Sequence, residues 1–411
     1  MQELIALQNN VADLTRAADD LTQEVVGKMG HIDQQVDRFI NDWGINGYTR
    51  LEVGPGKEFA TIEDAFYSLN GKKLKTHVLI KVADGVHETT GIHLEHQPDA
   101  HQIRIEGNVA NPPACQIKFI PDADKASHGM VIRGLLGLQL AGFKFVGETS
   151  ATNWTHRSLR LDHGSRVYCD SGTIHITGGC NAVEVEHSHL NAAQIRFEQI
   201  KQWNAFIGSG SKAWIQKSKI IGPGKAVRTQ VPAHINPDAP QVIPHGIGVF
   251  DGAQGWSSES TITGVWVGVT ALRNGYAHCD VTTVDGAEIG FHAQFGGIIW
   301  TYWWGATASR PKELRSKASN CLYGYYAAHK GLIWAPGAVA ESCARGFRAY
   351  ASSKVLANHG RAINCTIAFE AWTLSEIEAI DTNAASTGNP TQHSPPGNAV
   401  PGNQNAIIRY S

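Results

Sequence analysis

The sequence predicts an all-β chain, a parallel β-helix wound in 22-residue coils and entered through an N-terminal α-helical coiled coil. Three observations carry this. A short pattern returns at a 22-residue interval, apolar and variable positions alternate inside each copy, and an apolar seam runs through the first 43 residues. The predicted division is a coiled-coil stalk at 1–45, a linker and capping helix at 46–76, the solenoid at 77–383 and an irregular tail at 384–411.

The seam comprises Leu4, Leu7, Val11, Leu14, Ala18, Leu21 and Val25, in alternating steps of three and four. That is the a/d spacing of a coiled coil. The step from Val25 to Met29 is four again, a stutter that locally relaxes the supercoil. The seam then resumes through Ile32, Val36, Phe39 and Trp43. It predicts an oligomer held by Leu7, Val11, Leu14, Leu21, Val25, Ile32, Val36 and Phe39. It does not set the number of strands, since Val at a with Leu at d favours two.

The repeat is read from Gly268-Val-Thr-Ala271, Gly290-Phe-His-Ala293, Gly324-Tyr-Tyr-Ala327, Gly346-Phe-Arg-Ala349 and Ala368-Phe-Glu-Ala371. Arg160, Ala182 and Asn204 share the 22-residue interval, and longer steps elsewhere read as coils carrying loop insertions. One and three residues after each start the chain is apolar, as at Phe347 and Ala349, while the residue between varies freely. Such alternation is a half-buried strand. Ile299, Ile333, Val355 and Ile377 mark a second inward position, and Cys321, Cys343 and Cys365 a third. Three strands in each 22-residue repeat make one coil, whose inner face is buried only by stacking on its neighbours. The cysteine column is expected to be buried apolar packing.

Strands are also expected at Val78–Val82, Ile103–Ile105 and Ile117–Phe119. Ahead of them Thr61-Ile-Glu-Asp64 opens a helix with Ile62, Ala65, Phe66 and Leu69 on one face, suited to plugging the solenoid end. After residue 383 the chain is Asn-, Pro- and Gly-rich, which predicts loop.

With 35 basic and 37 acidic residues, no net field draws the chain to nucleic acid or an anionic membrane. No apolar run is long enough for a membrane span. The polar start predicts no secretory signal, and seven cysteines without a CxxC pair predict neither disulfides nor structural zinc, hence folding in a reducing cytoplasm. No cofactor and no metal site are expected. The pairs His93/His96 and His187/His189 are read as chance pairs in a chain with nineteen histidines.

A coiled coil feeding Phe59-Ala-Thr-Ile-Glu-Asp-Ala65, then an apolar strand ending in Ala83-Asp-Gly85, then 22-residue coils, resembles the pectin-lyase-like β-helix of phage tail fibres and tailspikes. The resemblance implies a right-handed parallel β-helix and a homotrimer at the tip of a virion tail. It further implies attachment to a tail or baseplate protein at the N-terminus and recognition of bacterial surface polysaccharide. The leading expectation is a receptor-binding structural protein. The alternative is a polysaccharide depolymerase, glycosidase or lyase, on the same scaffold. A free-standing carbohydrate lyase or esterase is a third reading, which the coiled coil counts against.

Hydrolysis of a glycan needs two carboxylates. Asp162 and Glu184 stand one 22-residue step apart, and so are expected on adjacent coils, as a catalytic pair or as an ordinary polar ladder. Glycan binding is assigned to Tyr302, Trp303, Trp304 and Arg310, in an insertion that combines stacking rings with cationic groups. Trp300 and Trp334 occupy one repeat position beside Ile298 and Leu332, and suit either a glycan platform or a subunit interface. Further insertions are expected at 148–156 and 222–244, and all are expected on one side of the solenoid.

Overall fold

A computed structural model describes residues 2–45, 47–120, 128–147, 157–224, 244–301, 315–379, 391–394 and 407–409. It opens with a single helix, α1 (Gln2–Trp43), about 63 Å long at 1.5 Å per residue. On α1 the seam residues Val11, Leu14, Leu21, Val25 and Ile32 are all exposed, Leu14 at 71% and Val25 at 46%. The side chains of Leu7, Val36 and Phe39 lie outside the described residues.

The body consists of three parallel sheets, of 14, 11 and 12 strands, each strand pairing with those one coil before and after it. This is the arrangement of a parallel β-helix. One coil illustrates the rest. Lys317–Ser319 lies in the 11-stranded sheet, Tyr323–Ala328 in the 12-stranded sheet and Leu332–Trp334 in the 14-stranded sheet, before Val339–Glu341 re-enters the 11-stranded sheet. The expected inward residues are inward. Phe291, Tyr325, Phe347 and Phe369 are fully buried and stacked at 4.8, 4.9 and 5.3 Å, with Ala293, Ala327, Ala349 and Ala371 buried alongside. Tyr325 keeps its hydroxyl in this core by donating to the Ser316 carbonyl at 2.9 Å.

Corners, rather than strands, carry the unusual backbone. Asn320, Ser342 and Asn364 leave the 11-stranded sheet at φ near 54°, and pairs such as His329-Lys330 and Thr373-Leu374 leave the 12-stranded sheet with both φ positive. A left-handed residue costs about 1–2 kcal/mol without glycine. The hydrogen-bond ladder offsets it by continuing around the bend. Asn320 N–H donates to the Glu341 carbonyl at 3.0 Å, Ser342 N–H to that of Ile363 at 2.8 Å, and Lys330 N–H to that of Ala351 at 3.2 Å. Gly331, next in the corner, has no room for a side chain, because a Cβ there would sit 2.2 Å from the Ala293 carbonyl oxygen.

Cys321, Cys343 and Cys365 lie in the corner just past the strand rather than within it. All three are buried free thiols. Contact with the Cys321 thiol and burial, opposed by Cys365, push the Cys343 thiol up to about 12.

Four expectations need correction. The solenoid starts before residue 77, because Thr49–Val53 is already paired with Val78–Val82, and the capping helix α2 (Ile62–Tyr67) is inserted between those strands. Thr61 caps α2 by accepting from Asp64 N–H at 3.0 Å, with Ile62, Ala65, Phe66 and Leu69 buried as expected. The solenoid also runs past residue 383: Thr391–Ser394 pairs with the strand Ile367–Trp372, and Ile407–Arg409 with Glu376–Glu378. Arg160 is not a repeat start, since Leu159 pairs with both Met130 and Val183, which makes Ser158 the counterpart of Gly129 and Ala182. Finally, the described strands that flank the insertions do not all belong to one corner of the coil. Residues 121–127, 148–156 and 225–243 follow strands of the 11-stranded sheet and precede strands of the 12-stranded sheet, whereas 302–314 follows a strand of the 14-stranded sheet.

Candidate functional site

Most strands of the 14-stranded sheet from Lys212 onward have only three residues, the middle one inward and its two neighbours outward. Register therefore decides what the outer face presents. Trp214, Trp256, His278, Trp300 and Trp334 are paired rung to rung, forming one column along the sheet. Trp214 stacks on Trp256 at 4.6 Å and 7°, Trp256 on His278 at 5.1 Å and 6°, and Trp300 on Trp334 at 4.5 Å and 21°. The one looser step, His278 to Trp300, is 6.3 Å, and Tyr276 sits beside it. Stacked pairs add about 0.5–1.5 kcal/mol each beyond area burial. The rings remain half-buried, and Trp334 at the end is 36% exposed. Burial lowers the His278 pKa, so the column is uncharged at neutral pH. Ile298 and Leu332 pair alongside. The result is a linear apolar track parallel to the stack of coils. Of its members, only Trp300 and Trp334 are picked out by the sequence.

The predicted carboxylate pair lies on the 12-stranded sheet. Asp162 and Glu184 are not lateral neighbours. Glu184 pairs with Arg160, and Asp162 with Arg133. Arg160 contacts both carboxylates, Asp162 at 3.1 Å and Glu184 at 3.7 Å, and reaches Glu186 at 3.2 Å. Arg157 hydrogen-bonds Glu184 as well. Burial raises the Glu184 pKa, against the pull of Arg157 and Arg160. A buried carboxyl that also feels the charge of Glu186 has the surroundings of a proton donor. The two guanidiniums nevertheless commit it to ion pairing, the commoner role of such a network.

Farther along this sheet the imidazole of His245 stacks on Trp203 at 4.0 Å, and that of His292 on Tyr326 at 5.2 Å. Burial first, then His292, lowers His245 to about 3; burial first, then His329, lowers His292 to about 4. Both are therefore neutral in the fold and take up protons more readily when unfolded, near 6.5. Their contribution is complete above pH 6.5 and is lost as pH falls from 6.5 towards 4 and then 3. We expect chemical-denaturation midpoints to fall between pH 7 and 5, and to fall less in His245→Asn/His292→Asn. Equal slopes in both proteins would exclude these histidines as the cause.

Tyr302, Trp303, Trp304 and Arg310 lie outside the described residues, although Trp303 and Trp304 follow Trp300 by only three and four positions in the chain. Among the described residues no group of three or more His, Cys, Asp or Glu side chains is placed to hold a metal ion, and neither histidine pair forms part of one. No helix among them is long and apolar enough to cross a membrane. No protein-family model matches the chain, and no curated protein matches it in sequence.

Proposed function

We propose that the chain is a receptor-binding tail fibre or tailspike subunit, a right-handed pectin-lyase-like β-helix that works as a homotrimer on a virion tail and recognises bacterial surface polysaccharide. The observation that supports this most is the stacked column from Trp214 to Trp334, a straight track suited to a chain of sugar rings. The exposed seam of α1 supports the oligomer, because six large apolar side chains on one stripe would otherwise meet water. A depolymerase is the second reading, favoured by the raised pKa of Glu184, which shares Arg160 with Asp162.

One set of variants of the full chain separates these readings. Light scattering should give a trimer mass, and Trp256→Ala/Trp334→Ala should lower binding to host cells at least tenfold with that mass unchanged. If the double variant instead dissociates to single chains, the column is a subunit contact and the glycan track lies elsewhere. Asp162→Asn/Glu184→Gln should leave binding intact. Release of reducing sugar by the parent but not by this variant would establish the depolymerase.

A further inference from the structure

The strands preceding Trp214 in the column carry a different chemistry. Arg166, His189 and Lys212 are paired on three successive rungs, and Tyr168, Asn191 and Trp214 are paired beside them. These six side chains line a recess of about 340 Å³ on the outer face of the 14-stranded sheet. Two features define its chemistry. Cations elsewhere on the solenoid are commonly matched by a carboxylate one coil away, as with Lys354–Glu376 at 3.3 Å, Lys118–Glu88 at 2.7 Å and Arg345–Glu370 at 2.7 Å. Among the described residues neither Arg166 nor Lys212 has such a partner, and both depress the basicity of His189, whose pKa is lowered by burial first and then by these two charges. In addition, Tyr168 and Trp214 are two rungs apart, about 10 Å at 4.8 Å per strand, with the shorter, exposed Asn191 between them. That gap is about the width of one pyranose ring, bounded by an aromatic side chain on each side.

We propose that this recess is an anionic-sugar subsite: one acidic hexose lies over Asn191 between Tyr168 and Trp214, with its negative group on Arg166 and Lys212. Aromatic walls supply stacking, and the unmatched cations supply the charge that an acidic group would neutralise. The inference rests on the polysaccharide-binding reading and narrows it to acidic polymers, which enter the aromatic column at its Trp214 end.

The test uses the full chain and three probes of similar length: polygalacturonate, dextran sulfate and neutral dextran. Arg166→Gln/Lys212→Gln should weaken binding of an acidic probe at least tenfold and flatten its salt dependence. Lys118→Gln/Lys317→Gln, equal in charge change but on another sheet, should shift affinity less than twofold. A preference for polygalacturonate identifies a carboxylate as the group bound, and a preference for dextran sulfate a sulfate ester. Equal affinity for neutral dextran, no binding of either acidic probe, or equal losses in the two double variants would overturn the subsite. Host-cell binding that persists in Arg166→Gln/Lys212→Gln but is lost in Trp256→Ala/Trp334→Ala would overturn the subsite while leaving the receptor-binding reading standing.

Discussion

Replacing Phe347 by Ala is expected to cost about 3–5 kcal/mol per chain, the usual price of an unfilled aromatic site. The ring is fully buried between Tyr325 at 4.9 Å and Phe369 at 5.3 Å, all three nearly parallel. Neither neighbour can close the space without leaving its own rung, because each is fixed to its strand register. Phe347→Leu, which keeps most of the volume, should cost roughly half as much. Denaturant titration reads the total, and hydrogen exchange in the strand Arg345–Tyr350 reads the local opening. A loss below about 1 kcal/mol would mean that the column relaxes as a whole.

The second large effect is expected at Glu370. It faces outward, yet its side chain is only 4% exposed, and it forms ion pairs with both Arg345 at 2.7 Å and Arg348 at 3.1 Å. Arg348 in turn lies over the rings of Tyr323, Tyr326 and Tyr350 at 5.0, 5.1 and 5.7 Å. Glu370→Ala leaves two guanidiniums together without a counter-charge, which typically costs about 3–5 kcal/mol at a buried pair. Arg348→Ala should cost less, since Glu370 keeps Arg345. Thermal denaturation of the two single variants and the double gives the coupling energy. A coupling near zero would show that the tyrosines, and not Glu370, hold Arg348.

The pairing of Arg348 with Glu370 is legible in the sequence because both residues occupy the variable position of adjacent repeats. So are the inward Phe and Ala columns and the Thr61 cap. Where the period slips, the reading slips with it. The coil that leads from Arg157 to its partner Asn181 is longer than the repeat. Its corner His163-Gly164-Ser165 is one residue longer than the counterpart His187-Ser188, and further residues are added at 170–173. A 22-residue count therefore misaligns Asp162 with Glu184. The aromatic column is hidden for a related reason. Its members stand at unequal intervals, because two insertions fall between them, and one member is histidine. The last strands, Thr391–Ser394 and Ile407–Arg409, are short and lack the repeat pattern, so only their pairing partners identify them.

Because every strand runs across the molecule, the hydrogen bonds that join coils point along its length. Tension applied between the two ends would therefore load successive coil boundaries in series, while the three sheets share each boundary in parallel. Such a rod yields at its weakest boundary rather than stretching uniformly. Each 22-residue coil set free releases about 70 Å of extended chain in exchange for about 5 Å of rod. The solenoid is thus stiff under small loads and dissipative under large ones, lengthening in steps set by the same period that builds it.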